Sequence, residues 1–412
     1  MTTASGRNII VTNRPTRDQL EKIYDILGEC FSVGRAFFQE RLDLDSTYDP
    51  ATTWFAAVDG KIAANVQIFP LSVRAGQAVL QTGAMGSVAA DPNYRGMGLT
   101  HKILAAQTEY MKEAGYDISV LLASKHAFYE KAGWRLIPET AYAVEKQPGG
   151  EQPGGEQPGG EQPDGYEMIP FEPRYLEDIR YIYEQFNQNR TYTVVRSETY
   201  WNDLIHWPEW KKADCLLLRQ NNKIVAYGII EKKDTEQVFI NEFLYLDEAA
   251  DGIEYFFHEL CRLRPNAKHI LAMLPEDHKL YSYYQQHQAK PVPIHMAMWK
   301  MINLHSTFRK LQPELECRLN GNDLTANQEL VIALQCGEDR ICLDYRHKRL
   351  SVSGEIPAGS YVSIEVDERN LITYILFGYP GEGAAEDEAE HAGILQALFP
   401  KQQAVFYLTD KF

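Results

Sequence analysis

The residues best suited to chemistry in this 412-residue chain gather in one stretch, Val88-Ala89-Ala90-Asp-Pro-Asn-Tyr-Arg95-Gly96-Met97-Gly98-Leu99-Thr100-His101. Gly96 and Gly98 carry no side chain, so their backbone can approach a ligand closely. After them Leu99, Ile103, Ala106 and Tyr110 form an apolar stripe at helical spacing. Before them the small, weakly apolar residues Ala84 to Ala90 suit a strand. A strand, a glycine turn and a helix N-terminus make a cradle for phosphate oxygens, because free N–H groups and the helix dipole both favour an anion there. Arg95 adds a positive charge. The implied ligand class is a phosphate or pyrophosphate. No Gly-Lys-Ser/Thr ending follows, so this is not a Walker loop. His101 stands where a G-x-G-x-x-G fingerprint needs its third glycine, so a dinucleotide fold is excluded as well.

On its own, R-G-x-G describes an ordinary turn before a helix. Followed by an aliphatic residue, it resembles the pyrophosphate loop of the GNAT N-acyltransferases, with Thr100 where that motif usually ends in Gly or Ala. A second motif follows at domain-compatible spacing: Phe128-Tyr-Glu-Lys-Ala-Gly-Trp134 resembles the GNAT segment whose tyrosine sits beside the thioester sulfur. Between residues 54 and 69 a strand, an Asp-Gly turn and another strand are expected. The resemblance implies acetyl-CoA as cosubstrate and a three-part chemistry. The amine must lose its proton to a base. The oxyanion needs N–H donors, which a strand splayed at Val88 to Ala90 would supply. The departing thiolate needs a proton, and a tyrosine of ordinary pKa about 10 is close enough to a thiol's to give one. Tyr129 fits that role; a buried aromatic with a hydrogen-bonded hydroxyl is the plainer reading. His101 and His126 are nearby candidate bases.

Composition bounds the alternatives. The formal charge of −16 argues against wrapping nucleic acid and suits a cationic small substrate, or simply solubility. No apolar run is long enough to span a bilayer, and MTTASGRNII has no signal-peptide core. The six cysteines show neither C-x-x-C nor zinc spacing, so reduced thiols, no metal and a cytoplasmic location are expected.

Several elements must hold the motifs in place. Thr16-Arg-Asp-Gln19 is a capping box opening a helix over 17–31, with Leu20, Ile23, Tyr24, Leu27 and Phe31 inward. Phe31, Phe37 and Phe38 are candidate walls of an acceptor pocket or ordinary core; Asp25 and Glu29 are candidate amine-binding carboxylates or a solvated face. Residues 147–165 repeat QPGGE three times with nothing apolar to bury, so a linker or loop is expected, and its removal should cost little. Tyr166 to Met301 repeats the plan of the first domain, with Asn222-Lys-Ile matching Gly60-Lys-Ile. Asp247, Glu248 and Asp251 stand before its helix in place of R-G-x-G, so this copy should not bind CoA. After Asn303, strands are expected at 330–336, 341–345, 361–366 and 404–408, with an acidic loop at 381–390 and a helix at 392–398.

Three parts in this order resemble the Eis (enhanced intracellular survival) family of GNAT N-acetyltransferases. The resemblance implies a mixed α+β chain: a catalytic GNAT domain at 1–150, a degenerate GNAT-like domain at 151–301 and a sterol-carrier-protein-like α+β domain at 302–412. It implies Tyr129 as general acid and the α-carboxylate of Phe412 as general base. It places CoA against Val88, Ala89, Ala90, Arg95 to His101, Ser124 and Lys125. It further implies acetylation of small amines such as aminoglycosides, and a homo-oligomer, a hexamer in many members. Lys411 would set a positive charge beside that base. Protein lysines as acceptors, or a lipid carrier with a vestigial CoA site, are the competing readings.

Overall fold

The computed structural model describes residues 6–146, 165–381 and 390–412. Nearly all of the QPGGE tract and of the acidic loop lies outside them. The chain gathers into two units. Unit 1 holds residues 1–138, 295–402 and Phe412, and unit 2 holds residues 139–294 and 403–411.

Unit 1 is built on a seven-stranded sheet. Its strands are β1 (Ile9–Asn13), β2 (Thr53–Val58), β3 (Lys61–Ala75), β4 (Ala78–Ala90), β5 (Ile118–Leu122) and β6 (Arg135–Leu136), joined by a strand from far along the chain, Ala297–Met301. Asp59 and Gly60 both take positive φ, +50° and +81°, the conformation that turns β2 tightly into β3. Helix α1 (Arg17–Cys30) opens with the expected capping box, Thr16 accepting from the Gln19 N–H and Gln19 answering the Thr16 N–H. Its buried face is Leu20, Ile23, Tyr24, Ile26 and Leu27; Phe31 lies beyond the helix and is 38% exposed. Helix α2 (Arg35–Asp43) follows, then α3 (Leu99–Glu113) after the glycine loop and the short α4 (His126–Glu130). Ile103, Leu104 and Met111 of α3 pack with Val66, Ile68, Met85, Leu121, Trp134 and Met298.

Unit 2 carries a second seven-stranded sheet from β7 (Glu139–Glu145), β8 (Tyr166–Pro170), β9 (Ala213–Gln220), β10 (Lys223–Glu231), β11 (Gln237–Tyr245), β12 (His269–Ala272) and β13 (Lys290–Ile294). With Ala297–Met301 numbered β14, the two sheets run β1-β2-β3-β4-β5-β14-β6 and β8-β9-β10-β11-β12-β7-β13. They are the same sheet built twice, each with one parallel neighbour pair, β4 with β5 and β11 with β12. The strand pairing departs from the linear boundaries expected at 150 and 301. β7 pairs with β12 in unit 2, and β14 pairs with β5 in unit 1. Each unit receives one strand from the stretch assigned to the other, which an apolar strand pattern does not report. β13 holds Pro291 and Pro293 at the sheet edge, where a missing N–H is tolerated.

Residues 302–402 add a four-stranded sheet to unit 1, from β15 (Leu330–Cys336), β16 (Asp339–Arg346), β17 (Arg349–Ser353) and β18 (Val362–Glu365), in the order β17-β16-β15-β18. The helices Leu304–Gly321, Glu368–Phe377 and Ala392–Leu398 accompany it. The strand expected at 404–408 is not one. Val405, Phe406 and Tyr407 are buried outside any ladder, so their pattern reflects packing. Among the described residues no helix is long and apolar enough to cross a membrane.

Candidate active site

The glycine loop takes the form its residues demand. Asp91 accepts from the Asn93 N–H at 2.8 Å and closes the turn Pro92–Tyr94. Gly96 and Gly98 then adopt φ of +82° and +69°, and a Cβ on either would meet nothing within 4 Å. Glycine is needed there for the left-handed backbone, and the space in front of it is open. The first N–H returning into α3 is that of Lys102, bonded to the Gly98 carbonyl at 3.2 Å. The N–H groups before it have no acceptor within the helix. Leu99 and Thr100 are buried, so Thr100 packs where the motif usually has Gly or Ala. Arg95 folds back, its guanidinium 3.4 Å from the Ala90 carbonyl and 3.7 Å from the Cys30 sulfur. The sulfur of Met97 lies 3.9 Å from Arg7.

The strand before the loop is splayed. β4 pairs with β5 only from Thr82 to Met85, yet runs on to Ala90. Its pairing with β3 slips between Gly86 and Ala89. Ser87 there takes φ +49°, and the Asn65 amide donates to its carbonyl at 2.6 Å. This bulge bends Val88, Ala89 and Ala90 away from β5 and leaves that edge of the strand without a sheet neighbour. Splayed edge, open glycine loop and helix N-terminus suit the amide arm and pyrophosphate of an acyl-CoA.

Tyr129 stands in α4. Its carbonyl accepts from the Ala132 N–H at 2.9 Å and the Trp134 N–H at 3.2 Å. Its ring meets Phe128 edge-on, 5.0 Å between centroids, and burial raises its pKa, so the phenol keeps its proton. His101 ties the glycine-loop helix to this turn. Its Nε2 lies 3.0 Å from the Phe128 carbonyl, with the rings 4.2 Å apart. Nε2 of His126 faces the carbonyls of Ala123 and His295 at 3.0 and 2.9 Å. Facing only acceptors, each Nε2 carries a hydrogen, which leaves Nδ1 as the unprotonated nitrogen of either ring. Ser124 and Lys125 are exposed at the head of α4.

Phe412 meets β4. A Cβ at Gly86 would lie 3.2 Å from the terminal carboxyl carbon and 2.9 Å from the Phe69 ring, and the rings of Phe69 and Phe412 are 6.2 Å apart. The Arg41 guanidinium covers Phe69 at 4.9 Å and pairs with Asp45 at 3.1 Å. The structure thus puts the Phe412 carboxyl beside the bulge that begins at Ser87. Lys411 belongs to unit 2, where burial lowers its pKa. Of the other candidates, Phe38 is core and Phe37 half-buried. Asp25 is paired with Arg35 at 3.0 Å, and Glu29 is exposed. Sequence reasoning passed over Gly86, Phe69 and Arg41. Only Gly86 left a signal, a glycine inside a strand pattern, which marks a bulge or a close approach.

Residues 12–137 match the acetyltransferase (GNAT) domain family. Comparison with curated proteins returns no match. Among solved structures, a probable N-acyltransferase from Enterococcus faecalis V583 shares 14% identity, with 98% of this chain and all of that one covered and a TM-score of 0.72. A GCN5-related N-acetyltransferase from Anabaena variabilis shares 13% over 98% of this chain and 100% of its own, with a TM-score of 0.69. Eis1 from Mycobacterium abscessus shares 14% over the same proportions, with a TM-score of 0.65. At such identities these likenesses report the fold, and they report it over the whole chain, so that the cradle at 88–101 takes its meaning from the domain that contains it: the chain carries a GNAT acyltransferase domain within an Eis-like fold.

Proposed function

We propose that this protein is an acetyl-CoA-dependent N-acetyltransferase that acetylates primary amines of a small cationic acceptor by direct attack. Tyr129 is the general acid and the α-carboxylate of Phe412 the general base. The observation that carries this reading is the seat of the Phe412 carboxyl against Gly86, one residue from the bulge that splays β4. A carboxylate there takes the ammonium proton and frees the nitrogen lone pair. The backbone at Val88 to Ala90 offers N–H groups to the developing oxyanion. Residues Arg95 to His101 hold the pyrophosphate, with Ser124 and Lys125 at the rim. Tyr129, kept protonated by its surroundings, returns a proton to the departing thiolate. No metal is needed. The acceptor is aminoglycoside-like or polyamine-like, which the charge of −16 favours. A cytoplasmic homo-oligomer, hexameric by the Eis resemblance, completes the reading, with a carrier-like domain whose body is 302–402, residues 403–411 packing in unit 2.

Calorimetry with acetyl-CoA comes first; no binding overturns the enzyme reading in favour of a carrier. A thiol-release assay over amines, lysine peptides and aminoglycosides then identifies the acceptor class. Turnover on peptides alone favours a protein lysine acetyltransferase. A few glycines added after Phe412 keep every side chain and move the charge. Turnover should fall about a hundredfold or more with acetyl-CoA affinity kept; an extended enzyme of unchanged kcat removes this base.

A further inference from the structure

The proposed reaction assigns no step to the last three residues of FYEKAGW, yet each lies against the same distant side chain. Lys300, on β14, donates to the Ala132 carbonyl at 2.8 Å and to the Thr108 hydroxyl at 3.1 Å. Its ammonium stands 4.7 Å over the Trp134 ring. A Cβ at Gly133 would come within 3.0 Å of its Cε and 3.1 Å of its Nζ. The carbonyl of 132, the bare Cα of 133 and the π face of 134 together form a receptacle for one lysine. Trp134 is itself fixed, its indole N–H donating to Ser119 Oγ at 3.2 Å, and Ser119 is the register partner of Lys300. Ala132 and Trp134 are also the two residues whose N–H groups hold the Tyr129 carbonyl.

A half-buried ammonium is a costly way to fill this space. A methionine would bury the same stem with no charge to desolvate. What methionine cannot do is donate to Ala132.

We propose that Lys300 is a positioning residue for acyl transfer: it seats the Ala132-Gly133-Trp134 end of the turn and thereby aims the Tyr129 phenol. The proposal rests on Tyr129 as general acid. His101 holds the other end of the same turn at the Phe128 carbonyl, so the tyrosine lies between two fixed points.

The test is a double-mutant cycle read by kcat, KM for acetyl-CoA and melting temperature. Lys300→Met should keep the melting temperature and KM and lower kcat about tenfold, with Lys300→Arg recovering most of it. In a Tyr129→Phe background Lys300→Met should cost nothing further, because a misplaced phenol and an absent one are equivalent. If Lys300→Met does not fold, Thr108→Val removes one partner of the ammonium with little change of shape. It should lower kcat about threefold, again only while Tyr129 is present. A slow Tyr129→Phe enzyme in which Lys300→Met or Thr108→Val repeats its full loss overturns the positioning role alone, as does Lys300→Met with unchanged kcat. A Tyr129→Phe enzyme with unchanged kcat overturns the acid reading, and the positioning role with it.

Discussion

At Gly86 one absent methyl group makes room for a close contact. Its φ is not unusual; what it lacks is room, since a Cβ would press on Phe69 and on the Phe412 carboxyl. Gly86→Ala should therefore displace the carboxyl and lower kcat about tenfold or more, with acetyl-CoA affinity in calorimetry unchanged within about twofold. A variant with full turnover would show that the carboxyl's seat does not matter to the chemistry. Tyr129→Phe keeps the edge-on contact with Phe128 and deletes only the hydroxyl. Its kcat should fall about a hundredfold while KM moves little, the pattern of a group that acts in the transition state. Activity near that of the unaltered enzyme would assign thiolate protonation to water.

Among the elements, the turn into α3 is set by left-handed backbone, and a β-branched residue resists that conformation. Gly98→Val should weaken acetyl-CoA binding about tenfold or more with circular dichroism unchanged; equal affinity would take the loop out of the site. A pH-sensitive element lies in unit 2. His278 caps the helix Lys279–Gln286, its Nδ1 accepting from the Leu280 N–H at 3.0 Å while Nε2 faces the Phe243 carbonyl at 3.0 Å. Burial lowers its pKa to about 4, from an ordinary 6.5. Above the ordinary value both folded and unfolded forms are neutral and the contribution to stability is full. As pH falls from 6.5 toward 4 only the unfolded chain gains the proton, so stability drains by on the order of 3 kcal/mol. Urea unfolding of unit 2 should show this slope, and His278→Gln should flatten it; an unchanged slope in the variant would place the titration elsewhere.

For the whole molecule, the sheet order overrules an expectation about the QPGGE tract. β7 and β8 are five interstrand steps apart in the unit 2 sheet, about 24 Å at ordinary spacing. Removing residues 149–163 leaves four residues, Gln147, Pro148, Asp164 and Gly165, between Lys146 and Tyr166. Five peptide steps reach at most about 18 Å, so the connection fails. Deleting one QPGGE copy should leave activity and melting temperature unchanged. Deleting 149–163 should destroy cooperative melting of unit 2; a stable protein after that deletion would mean that β8 pairs elsewhere.

Much of the local structure was legible in the residues. The capping box at Thr16, the Asp-Gly hairpin, the glycine loop and the helix behind it depend on side chains within a few positions of one another. Local φ preferences and hydrogen bonds settle such features, so the sequence carries them directly. The repeated plan was legible for the same reason, because Lys61 and Lys223 each begin a strand after a two-residue turn with positive φ. Tertiary structure alone decided which sheet β7 and β14 join, that 404–408 packs without pairing, that Lys300 fills the AGW receptacle and that the Phe412 carboxyl rests on Gly86. Those contacts join residues more than a hundred positions apart or choose among equally apolar strands, and apolar surface is non-directional: it states that a segment will be buried and leaves the partner to the packing of the whole chain.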